Sequence, residues 1–232
     1  MSVTWKARWQ TIQDIALGVS PFRSLQNQWL KEQAWPEWQR VLDIGSKPAA
    51  MKVLVPFGEG VVTFSNADEG ETDTVTLDIT KPLPDGFKPY QAIFCLNVLE
   101  HVFDTAAALR FFKAALVPGG VLILITPYLY PYHQAPKDFY RFTADWYAEL
   151  AVQERWRIDG GGALSQGFWS DWVGFAVSYA LLRRWGRRGR PMLAALYGLA
   201  AVLDAGMSLL RRGRGCTVRN PLGYAYRFTV LA

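Results

Sequence analysis

The feature that most constrains this chain is a set of short, largely apolar runs that stop at an asparagine, a glycine or a proline. Val41-Leu42-Asp43-Ile44-Gly45, Ala92–Leu96 and Val121–Thr126 are of this kind. A strand that is apolar on both faces must be covered on both, as in a parallel sheet flanked by helices. Two further runs, Val61–Ser65 and Val75–Leu77, end near Asp68-Glu69 and at Asp78. Between the strands, Ala106–Leu116 reads as a helix closed by Pro118-Gly119-Gly120. Phe22, Leu25, Trp29 and Leu30 predict an amphipathic helix over 22–34, closed by Pro36. Trp156–Ile158, ended by Gly160–Gly162, and Tyr224–Leu231 supply two last strands. The expected fold is α/β: a doubly wound, Rossmann-like, mostly parallel seven-stranded sheet with helices on both faces and a helical insertion before the last strand.

The expected division is an α/β domain formed by residues 1–162 and 223–232, interrupted by an insertion over 163–222. Charge marks the insertion. The whole chain carries 25 Lys+Arg against 20 Asp+Glu, a net +5. Arg183 to Arg219 holds nine arginines and one acid, Asp204, leaving −3 for the rest. An acidic body with one basic, apolar segment argues against nucleic acid, whose binders spread basic residues along a groove with stacking aromatics. An anionic surface, such as a membrane leaflet or an acidic protein, fits better. Met192, Leu196, Leu199, Leu203, Met207 and Leu210 form a helical stripe opposite the small residues Ala194, Gly198, Ala201, Ala205 and Ser208. A helical hairpin lying on the membrane through 172–214, or a buried dimer or lid helix, would each use it. The N-terminus has no apolar run of a secretory signal, so the expected location is cytoplasmic, peripheral on the inner membrane face.

In an open parallel sheet, ligands bind beyond the carboxyl ends of the strands. The residues there are Asp43, Gly45, Ser46 and Lys47 after the first strand, Asp68 after the second and Asp78 after the third. Asn97, Val98, Glu100 and His101 follow the fourth, and Tyr128, Tyr130, Tyr132 and His133 the fifth. Each has a plain alternative. An Asp-x-Gly is often only a turn, Asp68 lies in a solvated acidic loop, His101 can brace its helix, and His133 can pack among tyrosines. Two histidines and two cysteines, widely spaced, give no disulfide framework and no readable metal site.

The joint pattern resembles the class I S-adenosylmethionine-dependent methyltransferases, in particular their type 11 small-molecule branch. The residues carrying it are VLDIG (41–45), Asp68, LDIT (77–80), LNVLEHVFD (96–104) and LVPGGVLILITP (116–127). PYHQAPKDFYRFT (131–143) looks like a signature of relatives found among surface-polysaccharide and lipid-glycan genes. The resemblance implies S-adenosylmethionine as cofactor. Asp43 and Gly45 would hold its methionine end, Asp68 its ribose, and Asp78 and Ile79 its adenine, with Asn97 and Val98 flooring the sulfonium.

Methyl transfer to a hydroxyl needs a base, and His133 or His101, with an ordinary pKa of about 6.5, is the candidate. Tyr132, Asp138, Tyr140 and Arg141 are candidates to bind a small-molecule, glycan or lipid-linked acceptor, Arg141 suiting a phosphate or carboxylate. The chain departs from the family at Lys47, which with Pro48 stands where a second glycine is usual, and at Gln91, where an acid usually opens the fourth strand. Lys47 supports the alternative reading, a methyltransferase fold that no longer catalyses and serves as a binding or scaffold protein. A nicotinamide-dependent oxidoreductase shares the strand–turn–helix start, but Gly45–Ala50 lacks the G-x-G-x-x-G pattern.

Overall fold

The structure, a computed structural model, describes residues 4–46, 51, 54–55, 57, 61–67, 74–134, 136–182, 187–210 and 220–231. Its elements are α1 (Trp5–Leu17), α2 (Pro21–Glu32), β1 (Val41–Ile44), β2 (Val62–Asn66), β3 (Val75–Thr76), β4 (Tyr90–Leu96), α3 (Thr105–Ala115) and β5 (Leu116–Pro127). There follow α4 (Ala144–Glu154), β6 (Trp156–Leu164), α5 (Phe168–Leu182), α6 (Arg190–Leu210) and β7 (Gly223–Val230). The seven strands form one mostly parallel sheet in the order β3-β2-β1-β4-β5-β7-β6, with helices on both faces and a helical insertion before the last strand. Strand order reverses between β1 and β4; in open α/β sheets ligands bind at such a switch point, beyond the strands' carboxyl ends.

The core explains the apolar runs. Ala92, Ile93, Phe94 and Cys95 of β4 and Leu122 to Ile125 of β5 have no exposed surface. Parallel pairing sets β1 between β2 and β4, with Asp43 opposite Phe64 on one side and Phe94 on the other. Strand β5 begins earlier than the sequence suggested. Leu116 pairs with Tyr90 and Val121 with Ala92, so residues 117–120 bulge out against Gln91. The Pro-Gly-Gly therefore kinks the strand rather than only preceding it. The Gln91 side-chain oxygen accepts the Gln39 and Arg40 backbone N–H groups at 2.6 and 3.2 Å, fastening the entry to β1.

Two compact units divide the chain. One comprises residues 30–126, 133–162 and 225–232, the other residues 1–29, 127–132 and 163–224. The division differs from the expected one because α1 packs with α5 and α6 of the insertion. Ile15 joins Val177, Ala180, Leu193, Ala194 and Tyr197 in one apolar cluster. Helix α1 escaped the sequence reading because its buried residues are Arg8, Thr11 and Ile15, which show no apolar period. On α6, Ala194 and Ala201 of the small-residue face are buried, while Met192, Leu196, Leu199 and Leu203 of the large-residue stripe are exposed.

Candidate active site

The first strand ends in a turn built around a buried carboxylate. Asp43 has no exposed surface, and its Oδ1 accepts the Ser46 N–H at 3.1 Å. Its Oδ2 is buried and has no hydrogen-bond partner among the described residues. Burial pushes the Asp43 carboxyl up to about 7, and the bonds from Ser46 offset only part of that. A carboxylate in this state lacks a cation or a donor. Gly45 next to it has a φ of +80°, and a Cβ there would lie 2.5 Å from Val98 Cγ2. Both the backbone conformation and the close approach of Val98 therefore require glycine.

At the end of β4, Asn97 takes a left-handed φ of 58°, with its N–H donated to the Ile125 carbonyl at 2.8 Å. An asparagine tolerates this conformation better than most residues, and it turns the chain sharply into the next segment. Asp78 is exposed, and its Oδ1 accepts both the N–H and the hydroxyl of Thr80 at 2.8 and 2.7 Å. These bonds hold its carboxyl below the ordinary carboxylate range. Ile79 is buried. Asp68, Lys47 and Pro48 lie outside the described residues.

Beyond Val98 the motif LEHVFD resolves into parts. Leu99–His101 form one 3₁₀ turn, and the Asp104 side chain caps α3 by accepting the Ala107 N–H at 2.9 Å. Glu100 is fully buried, and its backbone carbonyl accepts the N–H groups of Phe139 and Tyr140 at 2.8 and 3.3 Å. The His101 Nδ1 meets the Lys137 carbonyl at 2.5 Å, and the Tyr140 hydroxyl donates to the Phe103 carbonyl at 2.9 Å. The 133–142 segment is thus clipped onto the end of β4 at four points, and this brings His133 to His101. The two rings are edge to face, with centroids 4.9 Å apart. Glu100 Oε1 stands 3.7 Å from His101 Nε2.

Asp138 and Arg141, read from the sequence as acceptor-binding, are partners of each other. The Arg141 guanidinium forks onto both Asp138 oxygens at 2.5 and 2.7 Å. Asp138 Oδ2 also accepts the His133 N–H at 2.9 Å and lies 3.3 Å from His133 Nδ1. Burial raises the Asp138 carboxyl, but Arg141 and His133 outweigh it and leave it below its ordinary value. It is an anion at neutral pH, set to orient the His133 ring. Tyr140 spends its hydroxyl on Phe103, and Tyr132 is exposed in the other compact unit. Glu100, named among the strand-end residues but given no role from the sequence, joins the two histidines in one cluster. Its position directly before His101 was the available signal.

Solved structures with the same fold include the [4+2]-cyclase SpnF, at 15% identity and a TM-score of 0.53, covering 90% of this chain and 82% of that one. Coclaurine N-methyltransferase, bound to N-methylheliamine and S-adenosylhomocysteine, matches at 13% identity and a TM-score of 0.50, covering 90% and 72%. YjhP from E. coli matches at 14% identity and a TM-score of 0.50, covering 95% and 99%. At such identities the likeness shows the fold alone, and a cyclase stands beside a methyltransferase in it. No curated protein matches the sequence. Residues 18–156 match the family model described as a methyltransferase domain, and the chain belongs to that family.

Proposed function

We propose that the protein is an S-adenosylmethionine-dependent methyltransferase that methylates a hydroxyl on a small-molecule, glycan or lipid-linked acceptor. The observation that carries the reading is the Asp43 Oδ2 atom, buried and unsatisfied at the switch point of the sheet. An anionic acceptor atom there suits the ammonium of the cofactor's methionine end, with the Gly45 turn beside it. Asn97 and Val98 close the floor, Asp78 and Ile79 meet the adenine, and Asp68 takes the ribose hydroxyls. When bound, the cofactor supplies a methyl group on a sulfonium, already electrophilic. The chain's part is to align the acceptor oxygen in line and to relieve it of its proton. His101 and His133 are the groups placed for the second task, and Asp138 holds the His133 ring.

His133→Ala is expected to lower turnover by ~10²-fold or more, while the affinity for S-adenosylmethionine, measured by calorimetry, holds. Unchanged turnover in that variant removes His133 from the reaction.

The exposed stripe of α6 favours an acceptor presented at a membrane. Met192, Leu196, Leu199, Val202 and Leu203 share one exposed face, and Arg187 and Arg188 are exposed at its start. In the sequence, Arg211, Arg212 and Arg214 follow its end. The segment Arg187–Ser208 is long and apolar enough to cross a membrane by length and composition. Its inner face is occupied by α1 and α5, and chain on both sides of it belongs to the sheet. Lying along the surface satisfies both constraints. The protein is expected to float with vesicles containing anionic lipid and to lose most of that binding on Leu196→Glu with Leu199→Glu. A stable solution dimer that ignores such vesicles would point to a dimer helix.

A further inference from the structure

The geometry points to a divalent metal site formed by Glu100, His101 and His133, taking a first-row transition ion such as Zn²⁺. One ligand atom from each residue lies within 4.8 Å of the other two. Two imidazoles and one carboxylate form a known donor set, used by zinc in hydrolases and by other first-row ions in open three-ligand sites. With metal–ligand distances of ~2.0–2.2 Å, closing the triad onto an ion needs side-chain adjustment of about an ångström.

What distinguishes this cluster from three neighbouring polar groups is the layer behind it. A metal-binding histidine commonly engages its second ring nitrogen with a carbonyl or a carboxylate, which sets the tautomer and aims the first nitrogen. Here both rings have that support. His101 Nδ1 sits 2.5 Å from the Lys137 carbonyl, and His133 Nδ1 sits 3.3 Å from Asp138 Oδ2. Arg141 in turn forks onto Asp138. The arrangement assigns Nε2 of each ring as the ligand atom, and His101 Nε2 already faces Glu100 Oε1 at 3.7 Å.

Burial grades the site as an open metal centre requires. The Glu100 side chain is 0% exposed, His101 10% and His133 22%. The carboxylate forms the floor, and the histidines form a rim through which an ion and one further oxygen ligand enter. The backbone bonds from Phe139 and Tyr140 to Glu100 fix floor and rim together. The sequence displays none of this, because His133 is 32 residues from His101 and matches no ligand spacing.

Ion binding stands independently of the proposed reaction. Its role rests on that reading and changes it at one point, since the histidines would then act as ligands of the ion and not as the base. An oxygen bound to such an ion loses its proton far more readily than a free one. The acceptor hydroxyl would then release its proton to solvent while the histidines hold the ion.

The test uses untagged full-length protein freed of metal with a chelator, without any cofactor present. Titration with Zn²⁺ is followed by calorimetry, and titration with Co²⁺ by its visible absorption bands. One ion per chain is expected, with Co²⁺ bands of a low-coordinate nitrogen–oxygen site. Glu100→Gln and His101→Ala are each expected to weaken binding by more than ~10²-fold, and Asp138→Asn by ~10–100-fold. Should the Glu100 variant not fold, the wild-type Co²⁺ spectrum and Asp138→Asn decide. Folded wild-type protein that binds neither ion below ~100 µM, or binding unchanged in a His101→Ala/His133→Ala double variant, overturns the inference. Metal binding without S-adenosylmethionine binding sinks the methyltransferase reading alone. Cofactor binding and full turnover without metal sink the ion's role in the reaction alone.

Discussion

Asp43→Asn is expected to stabilise the cofactor-free protein at pH 8 and to weaken its binding of S-adenosylmethionine strongly. The carboxyl rises from its ordinary 3.8 to about 7 because it is buried without a cation. A folded-state pKa above the unfolded one means that the folded chain holds this proton more tightly. Its contribution to stability is therefore full below about pH 4 and is lost as the pH rises through 7. A shift of about three units at 1.36 kcal/mol each makes that loss about 4 kcal/mol. Asparagine is neutral throughout and keeps an oxygen for the Ser46 N–H. Its stability curve should lack the fall between pH 4 and 8, as urea unfolding at several pH values would show. On the proposed reading the same change removes the anion that would face the cofactor's ammonium, and truncating one member of a buried charge pair costs ~2–5 kcal/mol of binding. Calorimetry should register a loss of about 30-fold or more. A variant that binds the cofactor as tightly as wild type would move the methionine end elsewhere. This opposition between stability and binding marks a group kept for function.

The second large effect is expected in the other compact unit, at Asp204. It is the single acid of the arginine-rich stretch, yet it is buried on the inner side of α6. Its Oδ1 and Oδ2 accept the Trp169 and Ser170 N–H groups at 3.1 and 2.7 Å, so it caps the start of α5 from a different helix. It is also the leading charge favouring the buried Arg8 guanidinium, which burial otherwise drives toward its neutral form. Asp171 cannot take its place at neutral pH, because burial pushes that carboxyl up to about 8. Gly167 is shaped to this contact. It has a φ of +132°, and a Cβ on it would lie 2.4 Å from Asp204 Cγ. Asp204→Ala leaves two helix N–H groups without their acceptor and removes the leading charge that favours the buried Arg8 guanidinium. The expected cost is about 3–5 kcal/mol, read by urea unfolding. Asp204→Asn keeps one acceptor oxygen and should lose less. An alanine variant within about 1 kcal/mol of wild type would mean that water or Asp171 replaces the carboxylate.

The parts legible in the sequence share a local cause. Ala92–Leu96 and Val121–Thr126 had to be central strands, because side chains apolar on both faces leave no solvated side. Asp43, Gly45 and Asn97 could be placed at strand ends because each breaks such a run with a residue suited to a turn. The helix over residues 22–34 announced itself by period and appears as Pro21–Glu32. Where burial is polar, the signal fails. Helix α1 buries Arg8 and Thr11, whose partners Ser170, Ser24, Gln28 and Gln166 lie far along the chain or on another helix. The stripe of α6 was visible by period, but not which side faces inward. Ala194 and Ala201 let helices approach closely, so the small side packs and the large side stays exposed.

The sequence by itself determined the doubly wound sheet, the strand-end positions of Asp43, Gly45 and Asn97, and the charge of the insertion. Each is written in the periods, breaks and charges of neighbouring residues. Tertiary structure alone decided that Arg141 pairs with Asp138 and that Asp138 reaches His133. It also joined Glu100, His101 and His133, and turned Asp204 inward. The meeting of His101 with His133 and the inward turn of Asp204 join residues 32 and 35 positions apart, and the short-range contacts of Asp138 sit in a segment clipped onto Glu100 by the Phe139 and Tyr140 N–H groups, which no local pattern records.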